Sequence, residues 1–337
     1  MPEPRAPRQP DSPHEKRHTV HTKTRLAAAL ACTAAVLTWS LTTAGTAAAA
    51  DPLTLTSGFY VSPESSPAVW VAANPTDSRA ASIQTNIASR PIGRWFGTGS
   101  TGSAVASYVG KADSHDKLPV VVAYNLPGRD ACGGESSGGA GSVAEYKTWI
   151  STFAAAIADR PAVVVIEPDA LGDFSCMTQT AIDERLDMLR YATEMFQEKA
   201  PNTWAYLDGG NAGWTSAATM APRLDAAGVD NVRGFSVNVS NYYSNSASLT
   251  YANAVNAELG GTARFVVDTS RNGNGSNGEW CNPAGRKLGT PPQTGGGAEM
   301  LLWVKTPGNS DGECGIAPTV PAGVFSPDLA MRLINGT

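Results

Sequence analysis

The chain has 337 residues, 42% hydrophobic and 16% charged, with 25 Lys+Arg against 30 Asp+Glu. An acidic balance without a basic run argues against nucleic acid or an anionic membrane as a partner. There is no Walker loop, no Asp-x-Asp-x-Asp-Gly loop and no Gly-x-Gly-x-x-Gly directly after the first predicted strand, at 58–62. No nucleotide cofactor, and no metal held by such a loop, is therefore expected.

Residues 1–50 read as a removable secretory signal. Arg5, Arg8, Lys16, Arg17, Lys23 and Arg25 precede a mostly apolar stretch from Leu26 to Leu41, and Ala47-Ala48-Ala49-Ala50 offers a small-residue cleavage site. Thr33, Thr38 and Ser40 interrupt the apolar stretch, whereas a membrane span wants at least ~18 apolar residues. Removal of six basic and three acidic residues leaves 19 against 27, a net charge near −8, and takes Cys32 away. Residues 51–337 suit one α/β domain. No Pro/Ser/Thr linker follows residue 60 and no internal repeat occurs, which argues against a separate carbohydrate-binding module.

Strands are predicted at 58–62, 92–96, 120–125, 162–167, 203–208, 232–238, 264–269 and 300–305. Apolar residues at helical spacing predict helices at 142–158 and 180–199, the second stopped by Pro201, with shorter ones at 216–227 and 248–260. The alternation implies a parallel sheet, closed into a barrel or an incomplete one. Several strands are β-branched runs that stop at a carboxylate: Val163 to Ile166 leads to Glu167-Pro168-Asp169, Trp204 to Leu207 leads to Asp208, and Phe265 to Val267 leads to Asp268. Val120 to Tyr124 leads to Arg129-Asp130, and Leu301 to Lys305 leads to Asp311. Strands of a parallel barrel end on one face, so these acids gather around one mouth.

Cys132, Cys176, Cys281 and Cys314 remain, an even count that favours two disulfides in a secreted chain. Three pairings are open. Pairing 132 with 176 and 281 with 314 would brace the loops that follow the acids. No Cys-x-x-Cys is present to favour zinc. Histidine is scarce, since only His115 lies outside the first fifty residues, which leaves no His-rich metal site and a poorly placed base for a Ser-His-Asp triad.

Carboxylates and tryptophans carry the chemistry that is left. Glycosidic bonds are cleaved by paired carboxyl groups, one protonated and one ionised. Trp95, Trp214 and Trp280 lie in polar, Gly-rich surroundings near strand ends, where sugar rings could stack on them; Trp149, Trp204 and Trp303 fall within regular elements, as core residues do. Against the catalytic readings stand plainer ones. Asp130 could pair locally with Arg129, and Asp208 could cap a turn. Glu167 would point to the far side of an extended strand from its neighbours and serve structure, and Asp268 would support neighbouring groups.

Two segments, Tyr124-Asn125-Leu126-Pro127-Gly128-Arg129-Asp130 and Val164-Val165-Ile166-Glu167-Pro168-Asp169-Ala170-Leu171, resemble the signatures of glycoside hydrolase family 6. With Leu207-Asp208, Trp280-Cys281-Asn282 and Trp303-Val304-Lys305 the resemblance covers nearly all of 57–337. It implies a distorted, incomplete parallel β/α barrel of TIM type with two disulfides, and an inverting β-1,4-glucanase that needs no cofactor. By resemblance, Asp169 is the general acid and Asp130 the carboxylate that supports it. Asp311 is a base, with water relayed through Ser137 and Asp130 as the other route. Tyr124 lies beneath the distorted sugar and Asp208 near the acid, while Trp95, Trp214, Trp280, Asn238, Arg271 and Lys305 contact sugar. Three departures stand out: Ala131 intervenes before Cys132, Asn211 replaces a usual His, and Asn309 a usual Glu. Either amide keeps hydrogen bonding to a sugar hydroxyl but loses charge. The expected partners are cellulose and cello-oligosaccharides, acted on by a secreted monomer that cuts internally because little chain length is left for loops to roof the cleft. The rivals are a non-catalytic glucan-binding protein on the same scaffold and a hydrolase of mixed-linkage glucan.

Overall fold

The structure, a computed structural model, describes residues 51–133 and 138–337. The first fifty residues and Ser137 lie outside that set. Six strands run in chain order and in parallel: β1 (Arg94–Gly97), β2 (Val120–Tyr124), β3 (Ala162–Ile166), β4 (Thr203–Asp208), β5 (Gly234–Val237) and β6 (Arg264–Asp268). β8 (Met300–Leu302) continues the sheet in parallel beside β6, and the two-residue β7 (Gln293–Thr294) pairs antiparallel at its edge. The sheet stays open between β8 and β1. Two bonds span the gap just beyond them: the Gly93 N–H donates to the Trp303 carbonyl at 2.8 Å, and the Trp95 indole donates to the Val304 carbonyl at 2.8 Å. Gly93 is required there, because a Cβ would lie 2.7 Å from the Val304 oxygen.

The strand alternation builds two cores. Val120, Val122, Val163, Val165, Tyr206, Val266 and Leu302 fill the inside of the curl, with Trp95 and Tyr124 packed at one end. Val121, Ala123, Val164, Ile166 and Leu207 face the outer helices. Those helices are α3 (Gly102–Ser114), α4 (Val143–Ile157), α5 (Gln179–Lys199), α6 (Ala217–Ala226) and α7 (Asn245–Glu258). Each begins at a Ser or Thr whose hydroxyl accepts a first-turn N–H. A third cluster, Ile83, Ile87, Ile92, Trp303 and Ala330, covers the gap side with α2 (Ala80–Ile83) and α8 (Pro327–Asn335).

Two sequence expectations need correction. The strand expected at 58–62 is a single parallel bridge, Phe59 to Leu118; Gly58 before it has a left-handed backbone (φ 117°) and Pro63 after it has no N–H to donate. Helices α1 (Ser66–Ala73), α2, α3 and α8 were not foreseen. α3 carried a signal, since its buried Val105, Tyr108, Val109 and Ala112 repeat at helical spacing. α1 reads Ser-Pro-Ala-Val-Trp-Val-Ala-Ala and has no polar face to give a period. The expected pairing of cysteines is the observed one: Cys132–Cys176 and Cys281–Cys314.

Asp268 closes β6 and is fully buried. Its carboxylate accepts the N–H groups of Ser240, Ser270, Val304 and Lys305, which belong to the loops after β5, β6 and β8. Asp268→Ala leaves four backbone donors unmet, two of them in fully buried bonds, and should cost at least ~3 kcal/mol of stability, measured by urea unfolding at neutral pH. A loss below ~1 kcal/mol would mean that the ring of loops does not rely on this residue.

Candidate active site

The acids do converge. Asp169 lies just past β3, in a backbone turned left-handed at both Glu167 (φ 49°) and Asp169 (φ 68°). Such values are uncommon for residues with a side chain and concentrate at functional turns. The turn swings Glu167 off the strand path into the wall. Its carboxylate accepts the Asn125 and Leu126 N–H groups at 2.9 Å, and so ties the end of β3 to the loop after β2. The structural reading of Glu167 holds, although an extended strand is not the reason.

Asp169 is surrounded by negative charge. Burial first, then Asp130 and Asp311, push its carboxyl up from 3.8 to about 7, with Lys305 opposing. Asp208 shares the region, and burial followed by the charge of Asp169 raises it well above its ordinary value. Its geometry favours the anion of the two. Asp208 Oδ2 accepts the Asp169 N–H at 2.9 Å and the Gly210 N–H at 3.3 Å, and Oδ1 accepts the Ser236 hydroxyl at 3.2 Å. Where the pair keeps one proton, it resides on Asp169. Asp208 thus caps a turn and holds the acid's backbone at once.

Asp130 is half-buried in left-handed backbone (φ 52°), with Gly133 against its carboxylate, where a Cβ would lie 2.6 Å from Oδ1. Arg129 turns back onto Tyr124: its Nη1 donates to the Tyr124 carbonyl at 2.7 Å and its guanidinium covers the tyrosine ring at 4.2 Å.

Asp311 is the opposite case. Arg271 Nη1 donates to both of its oxygens at 2.9 and 2.8 Å, Lys305 Nζ lies at 2.9 Å, and the Tyr242 hydroxyl donates at 2.9 Å. Burial would raise this carboxyl, but the two cations outweigh burial and hold it well below the usual carboxylate range. It therefore stays ionised through the range in which an ordinary carboxyl takes up its proton. Tyr242 went unnoticed in sequence because it sits in an Asn/Ser-rich loop. Asn282, which had entered only inside a motif, exchanges backbone and side-chain bonds with Asp311.

Two loop tryptophans, Trp214 and Trp280, and Trp95 of β1 lie near these acids. Trp214 is 41% exposed and lies against Gly172 of the Asp169 loop, where a Cβ would come within 2.2 Å of its ring. Trp280 is 44% exposed beside the Cys281–Cys314 disulfide. Trp95 meets Tyr124 edge-on, with ring centroids 5.1 Å apart.

Other expected sugar contacts are spent on protein. Arg271 is buried beneath Asp311 and covers the Tyr242 ring at 4.3 Å. Asn238 is buried, donating to the Tyr243 and Asp268 carbonyls and accepting the Tyr243 N–H. Asn211 accepts the Gly213 N–H at 3.0 Å, and Asn309 accepts the Ser66 hydroxyl at 2.8 Å. Among the described residues no group of three His, Cys, Asp or Glu could hold a metal ion.

A protonated carboxyl, an ionised one and two exposed tryptophans at the mouth of a β/α barrel define an acid/base hydrolase of glycosidic bonds. Comparison with known proteins agrees with that class. The chain belongs to the glycosyl hydrolases family 6, whose model matches residues 55–336. It is similar to Endoglucanase 1 of Streptomyces halstedii, 57% identical over 86% of this chain and 92% of that one. Endoglucanase A of Thermobispora bispora is 42% identical over 92% of this chain and 68% of the relative. Among solved structures, the endoglucanase Cel6 of Mycobacterium tuberculosis, in complex with methyl-cellobiosyl-4-deoxy-4-thio-β-D-cellobioside, aligns with a TM-score of 0.78. It shares 37% identity over 85% of this chain and 99% of that one.

A raised acid has a thermodynamic signature. The folded state binds a proton on Asp169 that the unfolded chain releases above 3.8, so stability falls as pH rises from about 3.8 to about 7. Asp169→Asn removes that fall. The variant should gain ~2 kcal/mol over the parent at pH 7 and little at pH 4, read from thermal unfolding at both pH values. An equal change at both would show that Asp169 titrates normally.

Proposed function

We propose that this protein is an inverting endo-β-1,4-glucanase acting on cellulose and cello-oligosaccharides, with Asp169 as the general acid. The observation that carries the reading is the contrast between Asp169, protonated near neutral pH, and Asp311, ionised at the same pH, at one strand-end mouth. Asp169 delivers its proton to the glycosidic oxygen as the bond breaks. Positive charge then grows on the ring whose anomeric carbon loses the bond, and the carboxylates of Asp311 and Asp130 stabilise it. Inversion adds water from the opposite face and needs the carboxyl groups roughly 6.5–9.5 Å apart. Asp311, already gripped by Arg271 and Lys305, is a poor proton acceptor and a strong fixed charge. That favours the route by which the water's proton leaves on the Asp130 side. Trp95, Trp214 and Trp280 offer faces for sugar rings, Tyr124 forms the floor, and Lys305 supplies a donor.

Residues 1–50 act in this reading as a secretory leader. The rest is one catalytic domain that works outside the cell as a monomer, where the two disulfides persist. Internal cleavage accords with the names of the bacterial relatives. The amides at 211 and 309 do not undo the reading, because Asn211 bonds within its own loop and Asn309 bonds to Ser66 at the start of α1, neither of them to the acids.

The test is hydrolysis of carboxymethylcellulose, followed by viscosity and reducing ends together. The expected outcome is a fast fall in viscosity with few new ends, reduced ~10²–10⁴-fold in Asp169→Asn while binding to cellulose persists. A near-normal rate in that variant would remove Asp169 from its role. Ends appearing in step with viscosity would exclude internal cleavage.

A further inference from the structure

Helix α5 carries a charge that nothing in the reaction scheme uses. Arg185 is 3% exposed, on the inward face of α5 with Met188, Leu189 and Ala192. Among the described residues it forms no ion pair. Its Nη1 donates to the Ala170 carbonyl at 3.3 Å and its Nη2 to the Gly128 carbonyl at 2.5 Å. Ala170 follows Asp169 directly, and Gly128 lies two residues before Asp130. We propose that Arg185 is a positioning residue that sets the spacing of the Asp169 and Asp130 loops by holding one carbonyl of each. The inference rests on the reading of Asp169 as the acid.

Packing alone does not account for the residue. A buried guanidinium without a carboxylate partner is costly, and a leucine or methionine would fill the space at less cost. What arginine adds is a rigid plane of donors, so two carbonyls bonded to it are held at a fixed separation. Asp130 and Glu167 offset part of the cost by favouring the cation through space. The neighbouring arginine shows the difference. Arg223 of α6 donates to the Leu171 and Gly172 carbonyls at 2.6 and 2.8 Å, and so steadies the acid's loop without reaching the Asp130 loop. The Cys132–Cys176 disulfide ties the same two loops further along the chain. Arg185 works beside the acids themselves, where displacement matters most.

In the intact protein, Arg185→Met should lower kcat on a soluble cello-oligosaccharide ~10²-fold, the scale of a ~1 Å misplacement. KM should stay within about twofold, since the tryptophan faces are untouched. The alkaline limb of kcat should move to lower pH. Loosened loops admit water to Asp169, and less burial lowers its value, while Asp130, Asp208, Asp311 and Lys305 still face it. Arg185→Lys keeps the charge and the stem but not the plane, and should show a smaller loss in the same direction. If either variant is folded at the assay temperature with parental kcat and parental pH limb, the proposal is overturned, whatever its Tm. If Arg185→Met fails to fold, Arg185→Lys decides by the same criteria. Asp169→Asn is run in parallel: activity retained there sinks the acid assignment, whereas an inactive Asp169→Asn beside parental Arg185 variants sinks the positioning role alone.

Discussion

Buried carboxylates that accept backbone N–H groups hold the mouth of this barrel together. Glu167 at the end of β3 grips the loop after β2, Asp208 at the end of β4 grips the loop after β3, and Asp268 at the end of β6 grips the loops after β5 and β8. Each strand end thus fixes the loop of its neighbour. Parallel strands present free backbone groups at this edge, and a buried donor left unmet costs ~1–3 kcal/mol. A carboxylate with two oxygens can satisfy several donors at once, which an amide or hydroxyl cannot do as fully. The acceptors also locate the reacting groups, because two of the gripped N–H groups belong to Asp169 and Lys305.

The same side chain is put to opposite uses across a short distance. Asp311 has two cations and a tyrosine hydroxyl bonded to it, whereas Lys305 reaches Asp169 only through space. With both deeply packed, burial pushes each toward the neutral form, so neighbouring charge decides the outcome. Placing Arg271 and Lys305 on the Asp311 side leaves Asp169 facing its fellow acids, and an acid/base pair results from one residue type.

Much of this was legible in sequence, for a physical reason. A β-branched run that stops at a carboxylate records burial and then an edge, so most of the strands, their parallel arrangement and the strand-end positions of Asp169, Asp208 and Asp268 could be read directly. Three disulfide pairings stayed open in sequence, and the observed one is the pairing that braces the loops after the acids. What could not be read was how a polar side chain spends its hydrogen bonds. Arg271 and Asn238 have the composition of sugar ligands, yet Asp311 and the Asp268 carbonyl engage them. Tyr242 and Arg185 gave no signal, since one sits in a polar loop and the other breaks an apolar helix face. Spacing reveals a face; only the fold reveals a partner.

The left-handed residues tie these strands of argument together. Asp130, Glu167, Asp169, Asn238 and Ser240 all adopt positive φ without being glycine, and all lie where a strand or its loop enters the mouth. Each such conformation costs ~1–3 kcal/mol and persists only where the surroundings over-determine it. The surroundings here are the backbone-gripping carboxylates, the disulfides and the arginines that hold carbonyls. The strain has a use. A strand that ran on extended would send Glu167 and Asp169, two residues apart, to the same face. The turned backbone instead lets Glu167 serve the wall while Asp169 stands at the mouth. Two acids two residues apart can then be given different surroundings: Glu167 is spent on the backbone donors of the neighbouring loop, and Asp169 faces its fellow acids.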